Sequence, residues 1–121
     1  MTKILVGEDD RFLAKAYNVK LIKAGFDVVL AANGEEVVAK ALSEKPDLIL
    51  LDLIMPKKDG FEALEEIKKL APTKNIPVII LSNLGQIEDI QRGKELGASD
   101  YLVKSNISIN DIVSKINQLL K

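Results

Sequence analysis

Apolar residues fall along this chain in two textures that alternate. Short unbroken runs such as Ile4–Val6, Leu48–Leu51 and Val78–Leu81 are separated by longer stretches in which apolar positions recur at helical spacing. Ile109, Ile112, Val113, Ile116 and Leu120 are the clearest case and line one face of a helix. Unbroken apolar runs are the mark of parallel strands, which are buried on both faces. Their alternation with amphipathic stretches argues for βαβ units. The pattern predicts strands near 3–7, 27–31, 47–52, 77–82 and 100–103, and helices near 11–24, 34–44, 60–70, 86–96 and 109–120.

The residues between these segments suit the same reading. Gly25 and Gly97 stand where helices should end in a left-handed residue. Asn33 with Glu36, Asp59 with Glu62, and Ser108 with Asp111 have the spacing of capping boxes. Pro46 and Pro77 precede strands, where a helix cannot continue. No repeat, low-complexity tract or linker interrupts residues 1–121, which are expected to form one domain with no effector domain attached.

Five strands alternating with five helices suit a doubly wound, flavodoxin-like α/β fold. Right-handed crossovers and a sheet covered on both faces favour the order 2-1-3-4-5. Ligands of such sheets collect beyond the carboxyl ends of the strands, at the switch in strand order. Three apolar runs end there on polar groups: the first on Glu8 and Asp9, the third on Asp52, the fourth on Ser82. Three acids brought together repel one another, and a hard cation relieves the repulsion. Mg2+, which keeps several waters and takes few carboxylates, is the expected one.

Composition narrows the chemistry. With neither Cys nor His in 121 residues, disulfides, thiol catalysis, thiolate- or imidazole-bound zinc, Ser-His hydrolysis and phosphohistidine on this chain are all excluded. A net charge of −1 gives no bulk reason for nucleic-acid or membrane-surface binding. No signal peptide opens the sequence and no apolar run nears membrane-spanning length, so a cytoplasmic location is expected.

Five segments in order, Ile4–Asp10, Pro46–Asp52, Met55–Gly60, Ser82 and Gly97–Lys104, resemble the receiver domain of two-component response regulators. The resemblance spans the chain and is to a stand-alone, chemotaxis-regulator-like receiver. It implies that Asp52 is the phosphoacceptor, an ionised carboxylate that attacks phosphorus to form an acyl phosphate. It implies that Asp9 binds Mg2+ directly, Glu8 through water, and that Asp52 and the Ile54 backbone carbonyl complete the protein ligands. Ser82 and Lys104 would hold phosphoryl oxygens, with Lys104 on Asp52 beforehand. Asp10 is better suited to the positive N-terminus of the following helix. Tyr101 matches an aromatic residue that moves inward when the hydroxyl at position 82 is drawn to the phosphate; it can equally be a half-buried strand tyrosine.

Some positions depart from the family pattern. Ser105 replaces the proline that usually follows the lysine with a cis bond. A cis bond before a non-proline costs about 3 kcal/mol, so Lys104–Ser105 is expected to be trans. Asn83 replaces a small residue and would narrow access to Asp52. Ile54 and Leu84 occupy the variable flanking positions, are both apolar, and would exclude a hydrolytic water.

The resemblance implies a histidine kinase or phosphotransfer protein as donor and a downstream protein as target, with no direct nucleic-acid or membrane partner. Such a domain catalyses only its own phosphorylation and dephosphorylation. The alternative function is a receiver-fold binding module that works without phosphorylation. A haloacid-dehalogenase-type phosphatase would need an acid two residues after Asp52, where Ile54 stands. A flavin carrier would need glycines and hydroxyls where Glu8, Asp9 and Asp10 stand.

Overall fold

The strands are β1 (Lys3–Gly7), β2 (Asp27–Ala31), β3 (Leu48–Leu51), β4 (Val78–Ser82) and β5 (Asp100–Val103). They alternate with α1 (Arg11–Lys23), α2 (Gly34–Glu44), α3 (Gly60–Lys69), α4 (Ile87–Glu95) and α5 (Ile109–Leu119). The computed structural model describes residues 1–120. All strands are parallel, in the order β2-β1-β3-β4-β5, as the sequence predicts. Element boundaries lie within a residue or so of the expected ones; Asp47, Asp52 and Pro77 fall just outside their strands.

Strand alternation sorts the core into two layers. Ile4, Val6, Leu48, Leu50, Ile79 and Leu81 face α1 and α5, against Tyr17, Leu21, Ile112 and Ile116. Leu5, Ile49, Leu51 and Ile80 face the other way, against Val37 of α2 and Phe61, Leu64 and Ile67 of α3. The inner strands β1, β3 and β4 are buried on both sides, which is why their sequences read as continuous apolar runs, while the edge strands β2 and β5 are partly exposed.

The helix ends are built much as expected, with differences. Gly25 and Gly97 follow α1 and α4 at φ +97° and +106°. Ser108 and Asp111 form a reciprocal capping box on α5. Asp59 accepts from the Glu62 amide, but only that half of the box forms. Asn33 likewise accepts from the Glu36 amide, while Glu36 reaches back to the Ala32 amide and the Asn33 side chain instead of the Asn33 backbone. Lys45 closes α2 in the left-handed region at φ 48°, a conformation its residue type does not advertise. No cis peptide bond occurs among the described residues, so Lys104–Ser105 is trans, as expected; it opens a single 3-10 turn, Lys104–Asn106.

Candidate functional site

The register of the sheet assembles the site. Gly7 pairs with Leu51 and the Asp52 amide donates to the Gly7 carbonyl at 3.0 Å, so Glu8 and Asp52 leave adjacent strands side by side. Ser82 pairs with Val103, which sets Ser82 beside the start of Lys104. Gly60, at the first turn of α3, lies against the Asp52 backbone. A Cβ there would stand 2.2 Å from the Asp52 carbonyl oxygen, so only glycine permits this approach.

Glu8, Asp9 and Asp52 each bring a carboxylate oxygen to within 4.8 Å of the others. Glu8 and Asp52 are buried and Asp9 is exposed. Lys104 answers the two buried acids, its Nζ donating to Glu8 Oε1 at 2.5 Å and to Asp52 Oδ2 at 3.0 Å. Burial pushes the Glu8 carboxyl above the usual range, and the negative charge of Asp52 adds to this; the hydrogen bond from Lys104 only partly offsets them. Burial works against the Lys104 charge, yet its hydrogen bonds to Glu8 and Asp52 and their negative charges hold its pKa above that of an ordinary lysine.

The donor set consists of hard oxygens, and one cation cannot neutralise three carboxylates. Among the described residues no hydrogen-bond donor reaches the Ile54 carbonyl. The Ile54 amide donates to Asp52 Oδ1 at 3.4 Å. Such a set suits a small divalent cation that retains water. Asp10 stands apart from it. Asp10 caps α1, accepting from the amides of Phe12 at 2.9 Å and Leu13 at 3.2 Å, which is the role the sequence assigns it.

Ser82 is wholly buried, and its Oγ accepts from the Leu84 amide at 3.3 Å. Tyr101 lies inward, 8% exposed, and its hydroxyl donates to the Leu84 carbonyl. Burial raises the Tyr101 pKa, with the charges of Asp89 and Asp52 adding to it and the neighbouring Ser82 hydroxyl opposing. Leu84 thus joins the serine to the tyrosine through its backbone, a link with no signal in the sequence. The cavity over Asp52 is lined by Glu8, Asp9, Leu13, Ile54, Asn83 and Lys104 among others. Leu84 is not part of that lining. It packs on the core, so of the two apolar side chains expected to border Asp52 only Ile54 does.

Residues 4–117 match the family model described as the response regulator receiver domain. The chain belongs to that family. The receiver is 37% identical over 121 residues to the DNA-binding dual master transcriptional regulator RpaA of Synechocystis, covering 100% of this chain and 50% of that protein. It is 40% identical over 121 residues to the transcriptional regulatory protein CpxR of Klebsiella pneumoniae, again covering 100% of this chain and 50% of that protein. The receiver spans about half the length of the curated relatives it matches. Among solved structures, the receiver domain of the Francisella response regulator 1452 superposes with a TM-score of 0.91 at 33% identity, covering 99% of this chain and 97% of that one. Chemotaxis protein CheY4 of Vibrio cholerae does so at 0.90 and 30%, covering 98% of each chain. The flavodoxin-like fold and the two-component family read from the sequence are both met. No helix among the described residues is long and apolar enough to cross a membrane.

Proposed function

We propose that Asp52 accepts a phosphoryl group from a histidine kinase or phosphotransfer protein, and that the modified site switches a protein-binding surface. The observation that carries this reading is the convergence of Glu8, Asp9 and Asp52 within 4.8 Å, with Lys104 bound to Asp52 at 3.0 Å. An acidic cluster of this kind only costs stability unless it serves a cation, and a cation serves little unless something negative arrives beside it. This argument disfavours a binding module indifferent to phosphorylation.

In this reading Asp9, Asp52 and the Ile54 carbonyl would hold Mg2+ directly, with Glu8 holding it through water. When bound, Mg2+ neutralises charge on the incoming phosphoryl group and helps align it. Asp52 attacks with one carboxylate oxygen, the bond from phosphorus to the donor breaks, and the donor keeps the electron pair. Lys104 passes from the Asp52 carboxylate to a phosphoryl oxygen. Ser82 exchanges its local bond for another phosphoryl oxygen. Tyr101, already inward and tied to Leu84, registers the change in that loop. The chain acts on no external substrate beyond its donor, catalysing its own phosphorylation and the return hydrolysis. DNA binding is not asked of these 121 residues, and a cytoplasmic setting follows from the donor.

The test is labelling by a small acyl phosphate with Mg2+. Wild type should gain one acid-stable, alkali-labile phosphoryl group. Asp52→Asn should gain none, and Asp9→Ala should lose labelling while keeping its fold by circular dichroism. Normal labelling of Asp52→Asn would remove the proposal.

A further inference from the structure

Tyr17 of α1 is a buried phenol whose hydroxyl has nothing to bond. The residue is 6% exposed, and its ring belongs to the core layer under α1 and α5. Among the described residues no group pairs with the hydroxyl, although every fully enclosed side-chain polar atom there has a partner. The Tyr17 oxygen therefore opens onto the cavity that the residue lines. Burial raises its pKa; the Lys104 charge opposes this, and those of Glu8, Asp52 and Asp10 add to it. At neutral pH the hydroxyl keeps its proton and is a donor without an acceptor.

That cavity, about 320 Å3, lies between α1, the end of β4 and the start of α5. Its walls are apolar, formed by Leu13, Ala16, Leu81, Ile107, Ile109 and Ile112. Besides Tyr17, three polar side chains interrupt them: Asn83, Lys104 and Ser105. Lys104 is engaged by Glu8 and Asp52. Asn83 and Ser105 are exposed, neutral and without a side-chain hydrogen bond among the described residues. No carboxylate of the described residues lines this space.

We propose that this cavity binds a small neutral molecule, a compact apolar body bearing an amide-like group that both accepts and donates. Tyr17 donates to its carbonyl oxygen, and Asn83 and Ser105 answer its remaining polar atoms at the mouth. Size and lining suit such a ligand: the volume is at the small end of the range for small-molecule sites, about 300–1,000 Å3, and a few polar groups punctuate an apolar wall. Charge decides against an ion. A bound cation would find no carboxylate here and would be desolvated without a partner. A bound anion would find only Lys104, whose charge already answers two acids. Asn83 and Lys104 also line the cavity over Asp52, so an occupant touches the acidic site without filling it. The site would thus give the domain a chemical input separate from phosphorylation, and it stands whether or not Asp52 accepts phosphate.

Benzamide, benzoate and benzamidine share one shape and are neutral, negative and positive in turn, so they serve as probes. Titrated into the full chain, benzamide should saturably shift the amide signals of residues 13–17, 81–83 and 104–112, with a dissociation constant of about 1 mM or lower. Benzoate and benzamidine should bind about tenfold more weakly or worse. Tyr17→Phe removes only the hydroxyl and should weaken benzamide binding about fivefold, the ordinary effect of one hydrogen bond. Its urea midpoint without ligand should stay at or above that of wild type, because the empty protein loses no bond.

No saturable shift with benzamide, equal binding of the three probes, or shifts centred on the far side of α1 at 30–36 would each overturn the proposal. Wild-type affinity in Tyr17→Phe would overturn it as well, and a lowered midpoint beside that affinity would assign the hydroxyl to the fold instead.

Discussion

Glu8 and Asp52 are two buried acids served by one lysine, and each residue's behaviour follows from that ratio. Removing Lys104 leaves two negative charges in a nearly dry site, and losing one partner of such a pair costs about 3 kcal/mol or more. Lys104→Ala should therefore lower the urea midpoint near neutral pH, and added Mg2+ should recover more stability in the variant than in wild type. The pH dependence has a definite sign. Glu8 has a folded pKa above its ordinary 4.5, so it binds its proton more tightly folded than unfolded. Its ionisation thus weakens the fold as pH rises past about 4.5, and the variant's deficit should shrink on acidification toward that value. A second prediction concerns Ile54, 60% exposed over the Asp52 cavity and unable to hydrogen-bond a water. Ile54→Asn should speed loss of phosphate from purified phosphoprotein in excess Mg2+. Leu84→Glu should instead destabilise the fold, since Leu84 packs on the core. The identities of Glu8, Asp9, Asp52 and Ser82 were legible because each ends an apolar run. The inward turn of Leu84 was not, because loop direction depends on packing against Tyr101 and α4 rather than on local sequence.

Helices differ in how firmly the sheet holds them. Five residues of α3 are buried: Gly60, Phe61, Ala63, Leu64 and Ile67. In α4 only Gly93 is. Gly93 allows even that contact, since a Cβ there would stand 2.5 Å from Ile80 Cδ1 and 3.1 Å from the Tyr101 ring. Arg92 of α4, itself exposed, also lies over the ring of buried Phe61, 4.2 Å from its centre, and a contact of this kind contributes about 0.5–1 kcal/mol. Few buried apolar contacts mean a low local opening energy. Amide hydrogen exchange should accordingly be faster through 88–95 than through 61–69, by factors large enough to separate the helices at a single pH. Equal protection would show that α4 opens only with the whole domain. Sequence periodicity located both helices but did not rank them, because a helical stripe reports which side is apolar and not how much of it finds a partner. Caps were more readable: Ser108 with Asp111 closes as expected, while Asp59 and Asn33 complete one half each, the other half being decided by side-chain rotamers.

Across the molecule, strand order and face followed from pattern alone, since a parallel sheet covered on both sides leaves few ways to connect five βα units. That order brings the carboxyl ends of β1, β3, β4 and β5 together, and the last two hold the route out of the site. Ser82 ends β4 and Lys104 follows β5, and both now spend their polar atoms on local partners. In the proposed reading a phosphoryl group on Asp52 would compete for both. Drawing Ser82 away changes the contact with the Leu84 amide, and the Leu84 carbonyl carries the Tyr101 hydroxyl. The neighbouring element is α4, the helix with the fewest buried residues. A site that rewards one arrangement of Ser82 and Lys104 by a few kcal/mol is enough to shift a two-state equilibrium in so loosely held a region. By contrast α2 contributes Val37 and Ala41 to the core, and Gly34 at its start lies against the Lys58 backbone, so it has little freedom to respond. Adding beryllofluoride and Mg2+, which place a phosphoryl mimic on an aspartate, should therefore move amide signals of residues 83–96 and 100–112. Tyr101→Phe, lacking the hydroxyl that grips Leu84, should reduce the shifts in 83–96 while leaving those of Asp52 and Glu8 in place. Shifts confined to 34–44 would place the responsive surface on the other side of the sheet and sink this account of how the site communicates.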